Sequence, residues 1–326
     1  MNINELTLEI LKKNKDHSLS SEIISKQIGI DQDVAQETIK NFKKDEHHLC
    51  QDSNTLSLQN MMPYLIQKSF TDKIYIYSLL ESTNNTAKEM AIAGAEHGTV
   101  IIADHQTAGR GRYERKFHSP PSHGIYMSII IHPTQFGLNT QSLATHFTAV
   151  SVCEAIEAVT DKKPKIKWVN DIFIGDKKIC GILIEASIDF DSKNTKWMVI
   201  GIGINFSTPS ISFPREIKEI AGAIFCTSKP YTTRNQLISE IINRIMSYEN
   251  KSDKDILIEY KKRMIMLGED IIVTGSNQSY NAIALDIDEE GRLIVQNETD
   301  EIITLSSGEI KVRRKNKGKV IPLQLL

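Results

Sequence analysis

The chain has few cysteines, no long apolar run and almost no net charge, and each shortage narrows the classes of function. Four cysteines in 326 residues, none in a Cys-x-x-Cys pair, argue against zinc ribbons and dithiol redox motifs. All apolar runs are far shorter than the roughly 20 residues of a membrane helix, and we see no signal sequence. We therefore expect a cytoplasmic protein with no membrane partner. With a net charge of −2, the chain as a whole does not attract nucleic acid or anionic lipid, so any basic site must be local.

One short segment concentrates both glycine and positive charge. Residues 109–116 read GRGRYERK. Glycine lets the backbone approach a ligand closely, and arginine grips phosphate or carboxylate with a planar, bidentate fork. The segment therefore predicts a loop that wraps an anionic small molecule. Because its cations repel one another until an anion arrives, we expect residues 109–122 to be mobile without ligand and ordered with it.

A second cationic site follows in residues 165–171, which read KIKWVND. Strand alternation places Ile166 and Trp168 on one face and Lys165 and Lys167 on the other. Lys167 is predicted to point over a pocket at the sheet edge, where a compact positive charge suits an α-phosphate or a reacting carboxylate. The alternative is a surface lysine beside a buried tryptophan.

Three glycines interrupt two otherwise apolar strand patterns. They are Gly181, Gly201 and Gly203. A glycine within a strand marks close approach of a ligand or of backbone, and three on neighbouring strands favour a ligand lying flat against the sheet. The alternative is a bulge or tight helix packing. Gly201 and Gly203 are not a dinucleotide fingerprint, because the third glycine and the helix start are missing.

Short polar side chains cluster before a predicted helix, at Ser82, Thr83 and Asn84. Taken alone, they are better explained as a helix N-cap. They also suit the polar head of a neutral ligand, and Gln106 can act similarly through one acceptor and two donors.

The pattern of apolar residues predicts an α+β fold in three regions, 1–62, 63–267 and 268–326. The first has three helical runs, broken at Gly29, and an alternating segment around Asp52, which is typical of a winged helix-turn-helix. The second predicts a mixed β-sheet with packed helices, and the third a small β-barrel with a basic tail. The predicted strands of the middle region are 74–77, 100–103, 125–131, 165–168, 172–174, 179–185 and 197–206, and its helices are 84–93, 143–160, 234–248 and 254–264.

DNA binding by the first region rests on the fold argument alone. Residues 1–60 carry seven Lys or Arg against ten Asp or Glu, whereas DNA affinity depends largely on neutralising phosphates. The alternative is a winged-helix unit kept for packing or protein contact. The six cations in residues 311–319 are interpreted as a solvated tail.

These elements, in this order, resemble biotin–protein ligases, specifically the bifunctional class that carries an N-terminal winged helix. GRGR at residues 109–112, followed by KWVND at 167–171, is the specific combination; GIGIN at 201–205 and GEI at 308–310 also match. The resemblance implies a central sheet like that of class II synthetases and biotin ligases, followed by an SH3-like C-terminal barrel.

The resemblance also implies a two-step reaction. Biotin's carboxylate attacks the α-phosphate of ATP, giving biotinyl-5′-adenylate and pyrophosphate. A lysine of the biotin carboxyl carrier protein of acetyl-CoA carboxylase then attacks the adenylate and releases AMP. Mg²⁺ is expected to arrive with ATP, since it neutralises the triphosphate, and no protein metal site is assigned. Operator DNA and an adenylate-induced homodimer are the further partners implied by the bifunctional class.

Site residues carried over by the resemblance fall into two overlapping groups. The residues implied to bind biotin, by its head, ring or carboxylate, are Ser82, Thr83, Asn84, Gln106, Arg110, Gly111, Arg112, Lys178, Gly181, Leu183 and Gly201. The residues implied to bind ATP and the adenylate are Arg110, Arg112, Arg115, Lys116, Lys167, Asp171 and Asn205. Among these, Arg112, Lys167 and Lys178 are the implied catalytic residues, because they would stabilise charge on the α-phosphate.

The chain departs from the family pattern at three positions. Many members have glycine at the position of Glu114, tryptophan at that of Phe117 and proline at that of Val169. None of these changes removes an implied catalytic group. Two alternatives remain: a transcription regulator that uses biotinyl-adenylate as corepressor with little ligase activity, and an acyl transferase similar to lipoate ligases.

Overall fold

The computed structural model describes residues 54–136, 140–189, 194–209, 213–226, 230–247, 252–275, 279–306 and 311–314. The chain divides into two compact units, 1–54 and 55–326. Residues 1–53 of the predicted winged helix and the basic tail beyond residue 314 lie outside the described residues. Within the described ranges, no helix combines the length and apolarity needed to cross a membrane.

A seven-stranded mixed sheet forms the centre of the second unit. Its strands are β1 (Ile74–Leu80), β2 (Val100–Gln106), β3 (Gly124–Ile131), β4 (Lys165–Lys167), β5 (Asp171–Ile174), β6 (Lys177–Ile188) and β7 (Thr195–Asn205). Their order across the sheet is β1-β2-β3-β7-β6-β5-β4. β1 and β2 pair in parallel, and the other neighbours pair antiparallel. The predicted mixed sheet is therefore confirmed, with every predicted strand of the middle region present.

Six α-helices accompany this sheet within the described residues. They are α1 (Leu58–Met61), α2 (Thr83–Ile92), α3 (Pro133–Phe136), α4 (Gln141–Val159), α5 (Arg234–Met246) and α6 (Asp253–Arg263). The side chains of Thr140, Thr233 and Ser252 cap the N-termini of α4, α5 and α6. Residues 49–58 alternate as a short β-wing would, but the described end of this segment is helical, because Ser57 is the N-cap of α1.

Helices cover both faces of the sheet, which explains why β3 is buried along its whole length. On one face, α4 and α5 pack against the apolar residues of β3, β6 and β7. On the other face, Ala87 and Ala91 of α2 pack onto Ile101, Ile130 and Val199. This packing fixes the strand register, because a slip by one residue would move every side chain of the strand to the opposite face and disrupt its contacts with the helices.

A second, smaller sheet follows in the C-terminal part. Its strands are β8 (Asp270–Thr274), β9 (Ser279–Ile287), β10 (Leu293–Asn297), β11 (Ile302–Leu305) and β12 (Lys311–Arg314), all antiparallel, in the order β11-β10-β9-β8-β12. The short strands that the sequence predicts are therefore present. An SH3-like closure into a barrel stays a prediction.

The smaller sheet contacts the cationic KWVND segment through its β9–β10 turn. The indole N–H of Trp168 donates to the carbonyl of Gly291 at 3.1 Å. The hydroxyl of Tyr260 on α6 donates to the carbonyl of Val169 at 2.9 Å. This segment is therefore held from both the C-terminal turn and the helical layer.

Candidate active site

One cavity of about 210 Å³ collects the candidate residues. It lies over the ends of β5, β6 and β7 and is bounded by the start of α2 and the glycine-arginine loop. The predicted site residues that line it are Ser82, Thr83, Asn84, Gln106, Arg110, Gly111, Arg112, Arg115, Lys116, Asp171, Lys178, Gly181, Leu183, Gly201 and Asn205. Lys167 does not line it. Its Cα pairs with that of Asp171 across the β4–β5 hairpin.

The polar head of the cavity is a buried hydrogen-bond network at the start of α2. The backbone N–H of Thr83 donates to Gln106 Oε1 at 2.8 Å. The Ser128 hydroxyl lies 2.7 Å from Asn84 Oδ1 and 2.8 Å from Thr83 Oγ1. Ser82 occupies the N-cap position of α2, but its side chain makes no capping hydrogen bond. The side chains are thus fixed in place, and the Ser82 hydroxyl is not used to cap the helix.

The strand glycines permit close approach of side chains that line the cavity. A Cβ at Gly201 would overlap the side-chain amide of Asn84, and one at Gly203 would lie 2.7 Å from Phe117 Cε1. At Gly181 the nearest atoms would be at an ordinary 3.4 Å, on Lys178. Two of the three glycines are therefore needed because Asn84 and Phe117 pack directly on the sheet.

The glycine-arginine loop is a tight turn closed by backbone hydrogen bonds. The N–H of Gly111 donates to the carbonyl of Arg115 at 2.7 Å, and the N–H of Phe117 donates to that of Gly109 at 2.8 Å. Tyr113 and Glu114 at its tip both have a φ of 57°, in the left-handed region that favours glycine. The loop thus presents its cations from a compact backbone.

Cations and one carboxylate line the opposite end of the cavity. Arg112 Nη1 donates to Asn170 Oδ1 at 3.3 Å, and its guanidinium lies 5.1 Å from the ring centre of Tyr113. Lys178 Nζ lies 2.6 Å from Asp171 Oδ1. Among the described lining residues, Asp171 is the sole carboxylate. Its pairing orients the Lys178 ammonium and leaves the rim net cationic.

Asn205 and Cys180 have structural surroundings that the sequence does not show. The Asn205 amide donates to the carbonyl of Gly222 at 2.8 Å, which holds the segment after β7 against the sheet. Burial raises the pKa of the Cys180 thiol well above its ordinary value, so this thiol is protonated and unsuited to nucleophilic attack. Among the described residues, no group of three His, Cys, Asp or Glu could hold a metal ion.

Several residues that line the cavity are not predicted from the sequence. Ile217, Ile220 and Ala221 form one wall, in a turn segment with no strand or helix periodicity. The Lys178 N–H donates to the carbonyl of Ile220 at 2.8 Å, and the Gly222 N–H donates back to Lys178 at 2.9 Å. Such pairing between distant segments leaves no local signal. Phe117, by contrast, is detectable as the aromatic residue that follows the cationic loop.

Comparison with known proteins identifies similar families and relatives. Residues 75–205 match the Biotin/lipoate A/B protein ligase family, and residues 266–313 match the Biotin protein ligase C terminal domain. The bifunctional ligase/repressor BirA of Bacillus spizizenii is 35% identical over 222 residues, which cover 67% of each chain. A biotin–[acetyl-CoA-carboxylase] ligase of Mycobacterium tuberculosis is 27% identical, over 70% of this chain and 85% of the relative.

Solved structures extend the similarity to the fold. The biotin protein ligase from Aquifex aeolicus in complex with biotin and ATP is similar with a TM-score of 0.64 at 28% identity. The match covers 74% of this chain and 99% of that one. The matched family models, the 35% identity to a relative covered over 67% of its length and the similarity of the fold lead to one conclusion: this chain belongs to the biotin protein ligase family.

Proposed function

We propose that the chain is an ATP-dependent biotin–protein ligase that forms biotinyl-5′-adenylate and transfers the biotinyl group to a lysine of a biotin carboxyl carrier protein. One observation carries the proposal. A single cavity has a fixed polar network at one end and a cationic rim at the other. Between them, glycines of two neighbouring strands form its floor. This arrangement suits a ligand with a polar ring, an apolar chain and a carboxylate that is to be activated.

The head network is assigned to the ring of biotin. The hydroxyls and amides of Ser82, Thr83, Asn84 and Gln106 offer donors and acceptors in a nearly dry setting, where hydrogen bonds discriminate strongly. Gly181, Leu183 and Gly201 floor the slot for the apolar part. Because Ser128 and Gln106 hold this network in place before ligand arrives, little ordering entropy is lost on binding.

The cationic rim is assigned to the biotin carboxylate and to MgATP, which is the substrate complex. The backbone amides of loop segment 110–112 and the Arg112 guanidinium would hold the carboxylate and the α-phosphate, with Arg115 and Lys116 beside the triphosphate. The Lys178 ammonium, oriented by Asp171 at 2.6 Å, would stabilise the charge that develops on the α-phosphate. Lys167, outside the cavity lining, would act at longer range from the end of β4.

The activity is tested by the intact mass of a biotin carrier domain incubated with the protein, biotin, ATP and Mg²⁺. A gain of one biotinyl group is expected. Lys178→Met should slow adenylate formation by about 100-fold, because it removes a charge aimed at the transition state. Lys196→Met is the matched control, since Lys196 pairs with Asp189 and does not line the cavity. Absence of both product and adenylate in the wild type would overturn the proposal.

A second role as biotin-responsive repressor is favoured by the name of the relatives, bifunctional ligase/repressor BirA. The predicted winged helix in residues 1–62 would bind operator DNA, and adenylate would promote a homodimer. A gel shift on the chain's own promoter region, with and without adenylate, tests this role. A retarded band that requires adenylate supports it, and no band at any concentration counts against it.

A further inference from the structure

The first arginine of the glycine-arginine loop points to the start of α2 and to β6. Arg110 Nη1 donates to Asn85 Oδ1 at 2.9 Å and lies 3.3 Å from Glu185 Oε1. Arg112 follows two residues later and instead reaches Asn170 on the far side of the cavity. The two arginines of the motif therefore have different partners, and one of those partners is an acidic side chain of the sheet.

Glu185 joins that arginine to the head network. Its Oε2 accepts from Asn84 Nδ2 at 3.0 Å, and its Oε1 accepts from Lys88 Nζ at 2.8 Å. The Glu185 side chain is 23% exposed. Desolvation alone would raise the pKa of Glu185, but the hydrogen bonds from Lys88 and Asn84 hold it below its ordinary value, so the carboxylate is charged. One carboxylate thus contacts both the head-group side chain and the anion loop.

We propose that Glu185 is a positioning residue that latches the glycine-arginine loop through Arg110 while it orients Asn84 in the polar head of the cavity. The Arg110 guanidinium then acts on the loop and not on the ligand. This inference rests on the proposed function, because it describes how the biotin site is held together. Glu185 is outside the cavity lining, so its effect passes through the two residues it contacts.

The geometry favours a latch over direct ligand binding by Arg110. Its guanidinium already lies between an amide oxygen and a carboxylate oxygen, both supplied by rigid elements. If the Arg110 guanidinium moved to a ligand, Glu185 would lose one of the two cations that contact it here and keep Lys88. Because Arg110 is 37% exposed, the latch is a modest interaction, and its loss should loosen the loop without unfolding the protein.

The first test is a double-mutant cycle on biotin binding, read by calorimetry on the full chain. In the wild-type background, Arg110→Met should weaken biotin binding by about fivefold, as the loss of a partly exposed, coupled contact does. In a Glu185→Gln background, the same substitution should add less than about twofold, because its partner charge is already gone. An equal loss in both backgrounds would place Arg110 directly on the ligand and overturn the latch.

The second test reads the loop without any ligand. Glu185→Gln should speed tryptic cleavage within residues 110–116 several-fold, with fragment masses locating the cut. Lys88→Met is the matched control: it removes the other ion pair of Glu185 and leaves Arg110 in place, so cleavage should stay at the wild-type rate. Unchanged cleavage in Glu185→Gln would count against the proposal. Should Glu185→Gln fail to fold, Arg110→Gln provides the same loop readout through cleavage after Arg112.

The two proposals fail in different ways. A wild-type protein that binds no biotin overturns the proposed function, whatever the loop does. A wild-type protein that binds biotin, combined with additive losses in the cycle, overturns the latch alone.

Discussion

Single residues of β7 set the shape of the cavity floor. Gly201 and Gly203 face Asn84 and Phe117 so closely that a methyl group would displace them. Because Asn84 is held by Ser128 and Glu185, it has little room to move. A side chain at position 201 would therefore displace the Asn84 amide of the head network, which is not the flexible end of a long side chain.

Gly201→Ala should destabilise the protein by about 2 kcal/mol through overpacking and weaken biotin binding by about 10-fold. Urea unfolding and calorimetry measure the two effects. Gly181→Ala on the neighbouring strand is the control for stability, since its Cβ would meet Lys178 at an ordinary 3.4 Å. Equal stability losses in the two variants would contradict the role assigned to the Asn84 contact.

At the scale of elements, the glycine-arginine loop is anchored at its C-terminal side by a partly buried ion pair. Arg234 on α5, with a side chain 3% exposed, lies 2.6 Å from Asp104 and donates to the carbonyl of Gly124 at 3.1 Å. Asp104 also accepts from the backbone N–H of Ser122 at 3.1 Å. The chain that leaves the loop is therefore held between β2 and α5.

Asp104→Asn should lower the free energy of unfolding by about 3 kcal/mol, because it takes the Asp104 carboxylate away from the buried Arg234 guanidinium. Urea unfolding measures this loss. Asp189→Asn, at a pair whose cation, Lys196, is 59% exposed, should change stability by less than about 1 kcal/mol. If the two substitutions cost the same, the pair at Arg234 is no stronger than a surface pair. Asp104→Leu combined with Arg234→Met should recover part of the loss.

Ligand should order the tip of the same loop. Biotin with ATP brings carboxylate and phosphate groups to the cations of Arg112, Arg115 and Lys116, so tryptic cleavage within residues 109–122 should slow strongly. Biotin alone should protect less, because it brings a single carboxylate. Equal cleavage rates with and without both ligands would show that the loop is already rigid.

At the scale of the whole molecule, the C-terminal sheet meets the catalytic sheet around a buried histidine. His146 of α4 packs edge-on against Tyr260 at 4.3 Å between ring centres and directly against Gly291. Burial lowers the pKa of His146 to about 4. The unfolded chain, with a histidine pKa of about 6.5, therefore binds more protons below that pH than the folded chain does.

Acid should weaken this junction. The contribution of neutral His146 is fully present above about pH 6.5 and falls as the pH drops toward 4, by about 2 kcal/mol at pH 5. His146→Gln should remove that part of the pH dependence, so its unfolding free energy should fall less than that of the wild type between pH 7 and 5. Parallel pH profiles would exclude His146 as the source.

The sequence predicts the middle-region strands and long helices, because apolar periodicity reports burial directly. The spacing of glycine and arginine points to the loop, and the family resemblance supplies most of the other predicted residues that line the cavity. The sequence does not predict that Arg110 meets Glu185 or that Ile217 forms a wall, since these contacts join distant segments. Lys167 shows the limit of strand alternation, which gives a side chain's face but not its distance from a pocket.

At Glu114 the chain departs from the family pattern, and the structure shows a consequence for the backbone. Its φ of 57° lies in the left-handed region, which glycine adopts without strain, and many family members have glycine at this position. The loop tip thus has a backbone conformation that suits glycine, while the Glu114 side chain brings both steric strain and a negative charge. The sequence shows the charge, and the structure adds the strain.

The cavity lining runs from residue 82 to residue 221, so it exists only when segments far apart in the chain have folded together. A ligand held there binds the folded chain and not the unfolded one. At 100 times its dissociation constant, such a ligand adds about 2.7 kcal/mol to stability by mass action. Since proteases degrade the unfolded fraction, the supply of substrate would also govern the lifetime of the protein.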